Sequence, residues 1–282
     1  MSSAAFAIQV ALRIRFFAIE WIVPATAQIC PETNAVSFRC LLMLSQLHKP
    51  RNRLFLALPS AHLHRLRPVL DQVTCAQDEV LIDADRALDQ VYFPESAVVS
   101  LSTVFADGTA VDMASIGREG CTGVQAVLGA KVSSVRLLTQ LPGTAMRMSR
   151  RAFTSAMNSL PSFKALMLDY AQAFLDQALV SGACNAAHRL DQRLARWLLT
   201  ARDRSDSDTL PVTQTVLADM LGVRRPTMTN ALGEFERAGL ITGARRQVTI
   251  LDPAGLAEES CECYERLRER LGFHRRELYA AG

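Results

Sequence analysis

Long hydrophobic runs, catalytic signatures and a dominant sign of charge are all missing from this 282-residue chain, and each absence excludes a class of function. No apolar run reaches the roughly 18 residues needed to cross a bilayer, so no membrane partner is expected. No Gly-x-Ser-x-Gly, Walker or His-Glu-x-x-His pattern occurs, and His48, His62, His64, His188 and His274 are scattered, so nothing points to an enzyme. The 31 basic and 28 acidic residues leave a formal charge of +3, too little for a broad electrostatic coat on nucleic acid. Any such contact must be focused on a small surface. The cysteines (Cys30, Cys40, Cys75, Cys121, Cys184, Cys261 and Cys263) form an odd set without a secretory framework, which fits a reducing cytoplasm.

The N-terminus is hydrophobic and contains Ala25-Thr26-Ala27, which mimics a signal-cleavage site. It lacks a basic leading region and is interrupted by Arg13, Arg15 and Glu20, so export is not expected. Recognisable patterning begins only near Arg51, and Met43 can serve as an initiator. Residues 1–50 therefore read as a poorly ordered N-terminal extension.

The most informative stretch is 213–241, TQTVLADMLGVRRPTMTNALGEFERAGLI. Thr213 can cap a helix that carries Val216, Leu217, Met220 and Leu221 on one face. Gly222 permits a sharp turn. In a second helix Met228, Ala231, Leu232 and Phe235 fall on one side, while Pro226, Thr229, Asn230, Gly233 and Arg237 fall on the other, with Arg225 at its start. This is a helix-turn-helix. Arg pairs bidentately with guanine and Asn with adenine in a major groove, each pair contributing about 1–3 kcal/mol of discrimination. Pro226 lies in the first turn, where a missing N–H costs little. Residues 240–251 then alternate as two short strands with Arg245 and Arg246 at the tip, a wing able to touch phosphate.

Upstream, Arg53 to Arg67 reads as a short helical lead-in, and 80–148 as mostly strands. The clearest are Val91 to Phe93, Val98 to Phe105, Thr109 to Ile116, Arg136 to Gln140 and Ala145 to Met148, with Asp107-Gly108 as a hairpin turn. Many short antiparallel strands with glycine punctuation suggest a closed roll. Arg150 to Asn158 reads as a short helix, and Pro161 opens a long one that should end in a hinge near Gly182 to Asn185. Leu166, Tyr170, Ala173, Gln177 and Val180 recur at helical spacing, while Met167, Leu168, Phe174, Leu175 and Leu179 make other faces apolar too. Such a helix needs two partners. One face is expected to pack on the roll, and the Leu166 to Val180 stripe on the same helix of a second subunit. His188 to Arg204 forms a further helix with Leu190, Leu194, Trp197 and Leu198 inward, and 203–209 reads as a loop.

The predicted class is α+β: extension 1–50, β-roll sensor 51–160, dimerisation helix 161–184, winged helix-turn-helix 185–273, tail 274–282. A roll, a long helix and a winged reader running GVRRPTMTNALGEFERAGLI closely resemble the CRP/FNR family of bacterial transcription regulators over about 52–273. The resemblance implies a homodimer on double-stranded DNA, with RNA polymerase as a further partner. It places base contacts at Arg225, Pro226 and Asn230 and a phosphate contact at Thr227. Where well-known members have Glu this chain has Pro226, so their operator cannot be borrowed.

In cyclic-nucleotide-binding relatives a cassette between two strands carries a Glu for the ribose and an Arg followed by Ser or Thr for the phosphate. Here Val124 and Gln125 stand where the carboxylate is expected, and Ser133-Ser134 lack the preceding arginine. Both charge-assisted contacts are gone, so the effector is not expected to be cyclic AMP. Arg118, Glu119, Lys131 and Arg136 remain as a candidate pocket for another small-molecule effector. Cys30 and Cys40 alone do not supply the four thiolates of an iron–sulfur cluster. Cys184, His188, Cys261 and Cys263 would offer zinc three sulfurs and a nitrogen if they met. Spacing does not show that they meet, and read as ordinary thiols they leave no cofactor or metal predicted. The alternative to a regulator is a small-molecule or redox sensing module with weak or lost DNA binding.

Overall fold

The computed structural model describes residues 50–106, 110–205, 207–244 and 246–271. The extension up to residue 49 with Met43, Cys30, Cys40 and His48, the Asp107-Gly108 turn, Arg245, and the tail with His274 lie outside the described residues. No described helix is long and apolar enough to cross a membrane.

The lead-in forms two helices, Arg53–Leu56 and Ser60–Leu66, rather than one. Pro59 lacks an N–H and disfavours helical geometry in the residue before it, so the helix restarts there. Asn52 pins this segment from a fully buried position. Its Oδ1 accepts from Leu54 N at 3.1 Å, and its Nδ2 donates to Pro94 O and Gly120 O, both at 2.8 Å.

Seven antiparallel strands build the roll: β1 (Asp71–Cys75), β2 (Val80–Ile82), β3 (Gln90–Pro94), β4 (Val98–Val104), β5 (Ala110–Ile116), β6 (Arg136–Leu141) and β7 (Gly143–Ser149). They form one sheet in the order β1-β7-β3 and another in the order β2-β6-β4-β5. β1 lies upstream of the expected strand region and has only Val73 and Cys75 as apolar residues, too short an alternation to mark a strand. Pairing of Asp71 to Cys75 with Arg147 to Gly143 makes it a strand. Ile82, Leu88, Val99, Leu101, Ile116 and Leu137 fill the roll.

The Ser149 hydroxyl caps helix Arg150–Ser159 by accepting from Ala152 N at 3.2 Å. Pro161 opens a 27-residue helix that continues to Ala187, past the hinge expected at 182–185. One glycine inside a long helix costs only about 1 kcal/mol, and Gly182 does not break this one. The break falls at His188, which is extended at φ −104° and ψ 152°, before helix Leu190–Arg204. A chain of rings, Phe55, Phe93, Phe153 and Phe163, locks the lead-in, the roll and the long helix together at centroid spacings of 4.6, 6.5 and 5.6 Å.

The stripe expected to face a second subunit packs instead on this chain's own roll. Leu166, Tyr170 and Gln177 are buried within the protomer, with Ala173 and Val180 half-buried on the same stripe. Tyr170 Oη donates to Cys121 O at 3.1 Å and Gln177 Nε2 to Ser115 O at 2.8 Å. Buried polar atoms need partners, and the roll's backbone supplies them. The apolar ridge left on the outside is Leu168, Leu175 and Leu179, which are 46, 53 and 64% exposed.

In the head, β8 (Thr209–Leu210) lies in the stretch expected as a loop. It is ordered by pairing with β10 (Gln247–Ile250), which also pairs with β9 (Ile241–Ala244). Helices Gln214–Leu221 and Arg225–Arg237 lie between β8 and β9, and two unforeseen helices, Pro253–Glu259 and Cys263–Arg270, follow. Leu194, Leu198, Leu217, Leu232 and Leu256 share one core with Val98 and Leu141 of the roll.

Candidate nucleic-acid interface

Thr213 caps its helix as the sequence implies, its hydroxyl accepting from Val216 N at 3.2 Å. Gly222 takes the left-handed conformation, φ +65°, that the turn requires. Met228, Ala231, Leu232 and Phe235 anchor the reading helix in the head core. Arg225, Pro226, Thr227, Thr229 and Asn230 all stand exposed on its N-terminal half.

The N-cap Arg224 makes no side-chain cap, which leaves first-turn amides available to a phosphate. Arg224 is itself exposed. It was missed as a candidate, although its adjacency to Arg225 was a signal. Thr229 has a different role from the others: its hydroxyl lies 2.9 Å from Gln214 Oε1 and 3.0 Å from Arg225 O, so it braces the two helices. The wing is tied to the reading helix by Gly243 N donating to Glu236 Oε1 at 2.8 Å. Arg246 is exposed in the turn between β9 and β10. A cavity of about 320 Å³ separates wing and helices, edged by Gln214, Thr215, Arg225 and Gln247.

The candidate effector residues do not converge. Arg118 Nη2 donates to Asp203 O and Ser205 O, both at 3.2 Å. Glu119 is buried against Arg204 at 2.8 Å, with side chains 2 and 3% exposed, and it also accepts from Gly117 N at 3.0 Å. Lys131 is exposed. Arg136 Nε pairs with Asp83 Oδ1 at 2.8 Å, a hydrogen bond that holds the Asp83 carboxyl below the usual carboxylate range. Charges of both signs prefer a partner within reach to an empty pocket, and here each buried one has found it.

The roll does enclose a cavity of about 110 Å³, lined by Leu101, Val124, Leu137 and Phe174 with Thr122, Gln125 and Ser133. None of its lining residues is ionisable. The cassette closes on itself: Gln125 Nε2 donates to Ser134 Oγ at 3.0 Å, and Ser133 Oγ to Val135 O at 2.6 Å.

Between roll and head lies a second polar locus. Burial pushes the Asp112 carboxyl up to about 8 despite the opposing Arg204 and Arg196 charges. A cavity of about 40 Å³ there is lined by Asp112, Gln140, Gln177, Arg196, Arg204 and Met220, among others.

The structure brings together four residues whose proximity spacing could not reveal. Cys184, His188, Cys261 and Cys263 offer ligand atoms all within 4.8 Å of one another, and the three thiols are buried. Burial and the neighbouring thiols push Cys263 up to about 12, so without a cation it is protonated.

Residues 192–259 match the family model of the Crp-like helix-turn-helix domain. Among solved structures the chain is similar to the c-di-GMP-responsive global regulator CLP of Xanthomonas campestris. Identity is 16% over 68% of this chain and 99% of that one, with a TM-score of 0.54. A CRP-family transcriptional regulator of Thermus thermophilus shares 21% identity over 67% of this chain and 96% of its own, TM-score 0.53. FixK2 of Bradyrhizobium japonicum shares 16% over 68 and 98%, TM-score 0.52. No curated protein sequence matches significantly. With 192–259 matched by a family model and about two thirds of the chain aligned with nearly the full length of these structures, the chain carries a Crp-like helix-turn-helix domain on the fold of the CRP/FNR transcription regulators.

Proposed function

We propose that this protein is a cytoplasmic, sequence-specific DNA-binding regulator that acts as a homodimer on a two-fold operator, with an effector other than cyclic AMP. The carrying observation is the reading helix. Met228, Leu232 and Phe235 fix it from below, while Arg225, Thr227 and Asn230 stand exposed above, beside a wing whose turn carries Arg246. Base-edge contacts come from Arg225 and Asn230, and phosphate contacts from Thr227, Arg246 and the uncapped first turn. The outward ridge Leu168, Leu175 and Leu179 repeats at intervals of seven and four, the spacing of a helix-pairing seam, and supports a symmetric pair of long helices. The uncharged cavity in the roll speaks against an anionic cyclic nucleotide and for a small, largely apolar effector. RNA polymerase would be the partner met at a promoter.

Selection from random duplex DNA tests this reading. The expected result is a palindrome with half-sites about 34 Å apart, bound without cyclic AMP and more weakly as salt rises. No consensus under any condition would favour a sensing module that has lost DNA recognition.

A further inference from the structure

We propose that Cys184, His188, Cys261 and Cys263 form a closed tetrahedral zinc site that clamps the last helix of the head onto the end of the long helix. Zinc takes Cys₃His sets, with Zn–S near 2.3 Å and Zn–N near 2.0–2.1 Å. Those bond lengths place neighbouring ligands of a tetrahedron about 3.8 Å apart for S···S and about 3.6 Å for S···N. Here Cys184 Sγ and Cys261 Sγ are 3.5 Å apart, and Cys263 Sγ is 3.7 Å from His188 Nδ1. Two donor separations thus match those one ion imposes, and all four donors lie within 4.8 Å of one another.

The surroundings fit a ligand set as well. His188 Nε2 lies 3.4 Å from Glu262 Oε2. A carboxylate that accepts the N–H on one side of the ring leaves the other nitrogen, Nδ1, free to ligate. Backbone geometry holds the donors in pairs. His188 N donates to Cys184 O at 3.0 Å where the long helix ends, and Tyr264 N donates to Cys261 O at 3.0 Å in the turn that starts the last helix.

A disulfide between Cys184 and Cys261 would use two thiols and leave Cys263 and His188 without explanation. A multi-iron cluster distributes its thiolates over separate irons, which donors confined within 4.8 Å do not do. Four protein donors fill a tetrahedral shell and leave no open position, and all three thiols are buried, so the ion would be structural. It would join segments 77 residues apart at the junction that the Arg270–Asp176 ion pair also spans. The inference stands on these donors alone and does not depend on the DNA reading.

The test is cobalt(II) and zinc(II) titration of the full chain, purified under reducing conditions and stripped of metal. One equivalent of cobalt should produce thiolate charge-transfer bands and intense tetrahedral d–d absorption, which one equivalent of zinc erases. Cys263→Ser and Cys184→Ser should abolish the signal, whereas Cys121→Ala, a buried cysteine outside the cluster, should keep it. Glu262→Gln changes an exposed side chain and should fold normally. It should bind cobalt about 10–100-fold more weakly. Folded wild-type protein that binds no cobalt would overturn the site, as would full-strength binding by Cys263→Ser. A Cys184–Cys261 disulfide in metal-free protein that resists loading would replace it with a redox pair.

Discussion

The second helix of the helix-turn-helix and the β-roll both carry arginines and polar residues that look from sequence like ligand contacts, yet the structure treats them oppositely. On the head, Arg225, Thr227 and Asn230 are exposed. In and around the roll, Arg118, Glu119 and Arg136 are engaged with Asp203, Arg204 and Asp83. Water satisfies an exposed polar group, whereas a buried one must find its partner inside the chain. The same residue types therefore stay exposed in one region and make structural ties in the other.

The largest effect should come from breaking a tie. Arg204→Ala leaves Glu119 buried without its cation and should cost about 3–5 kcal/mol in denaturant unfolding. Arg136→Ala, which opens a half-exposed pair, should leave the unfolding midpoint almost unchanged. A small loss from Arg204→Ala would mean that the roll and head are not joined through this pair.

At the same junction, Asp112→Asn should stabilise the fold. Because the folded-state value of Asp112 is raised to about 8 from 3.8, its contribution favours the fold fully only below pH 4 and is lost as pH rises towards 8. The advantage of the variant should therefore widen across pH 4 to 8, and a flat difference in thermal unfolding across that range would contradict the assignment.

The two faces of the long helix sharpen the comparison. Leu166→Ala should cost about 2–5 kcal/mol of stability because the roll packs on it. Leu175→Glu should leave the protomer folded and shift sedimentation from dimer to monomer, since Leu175 is exposed. The reverse pattern would restore the original assignment of the faces.

Smallest is the reading contact. Arg225→Ala should lose about 1–3 kcal/mol of specific binding and little on random DNA, while Arg246→Ala should weaken both alike, measured at one salt concentration. Equal losses from both changes would remove Arg225 as a base-reading residue.

Much of the head was legible because local chemistry specifies it. The Thr213 cap, the Gly222 turn and the apolar spacing of Met228, Leu232 and Phe235 each act within a few residues. The roll's longer strands were legible for the same reason, through alternation. β1 and β8 were not, since pairing partners distant in the chain impose them. The packing of the Leu166 to Val180 stripe was not legible, because Tyr170 and Gln177 share helical spacing with leucines, and periodicity does not say which apolar face meets the roll. The partners of the candidate effector residues were hidden on the same ground: nothing local to Glu119 announces Arg204, 85 residues away.

By itself the sequence determined the class, the winged reader, its outward-facing residues and the absence of the usual cyclic-nucleotide charges at Val124, Gln125 and Ser133, all consequences of short-range period and side-chain type. Only the tertiary structure decided which face of the long helix is free, that the roll's charges are tied, and that Cys184 and His188 meet Cys261 and Cys263. Those outcomes depend on where segments dozens of residues apart come to rest, and that is settled by packing of the whole core rather than by any window of the chain.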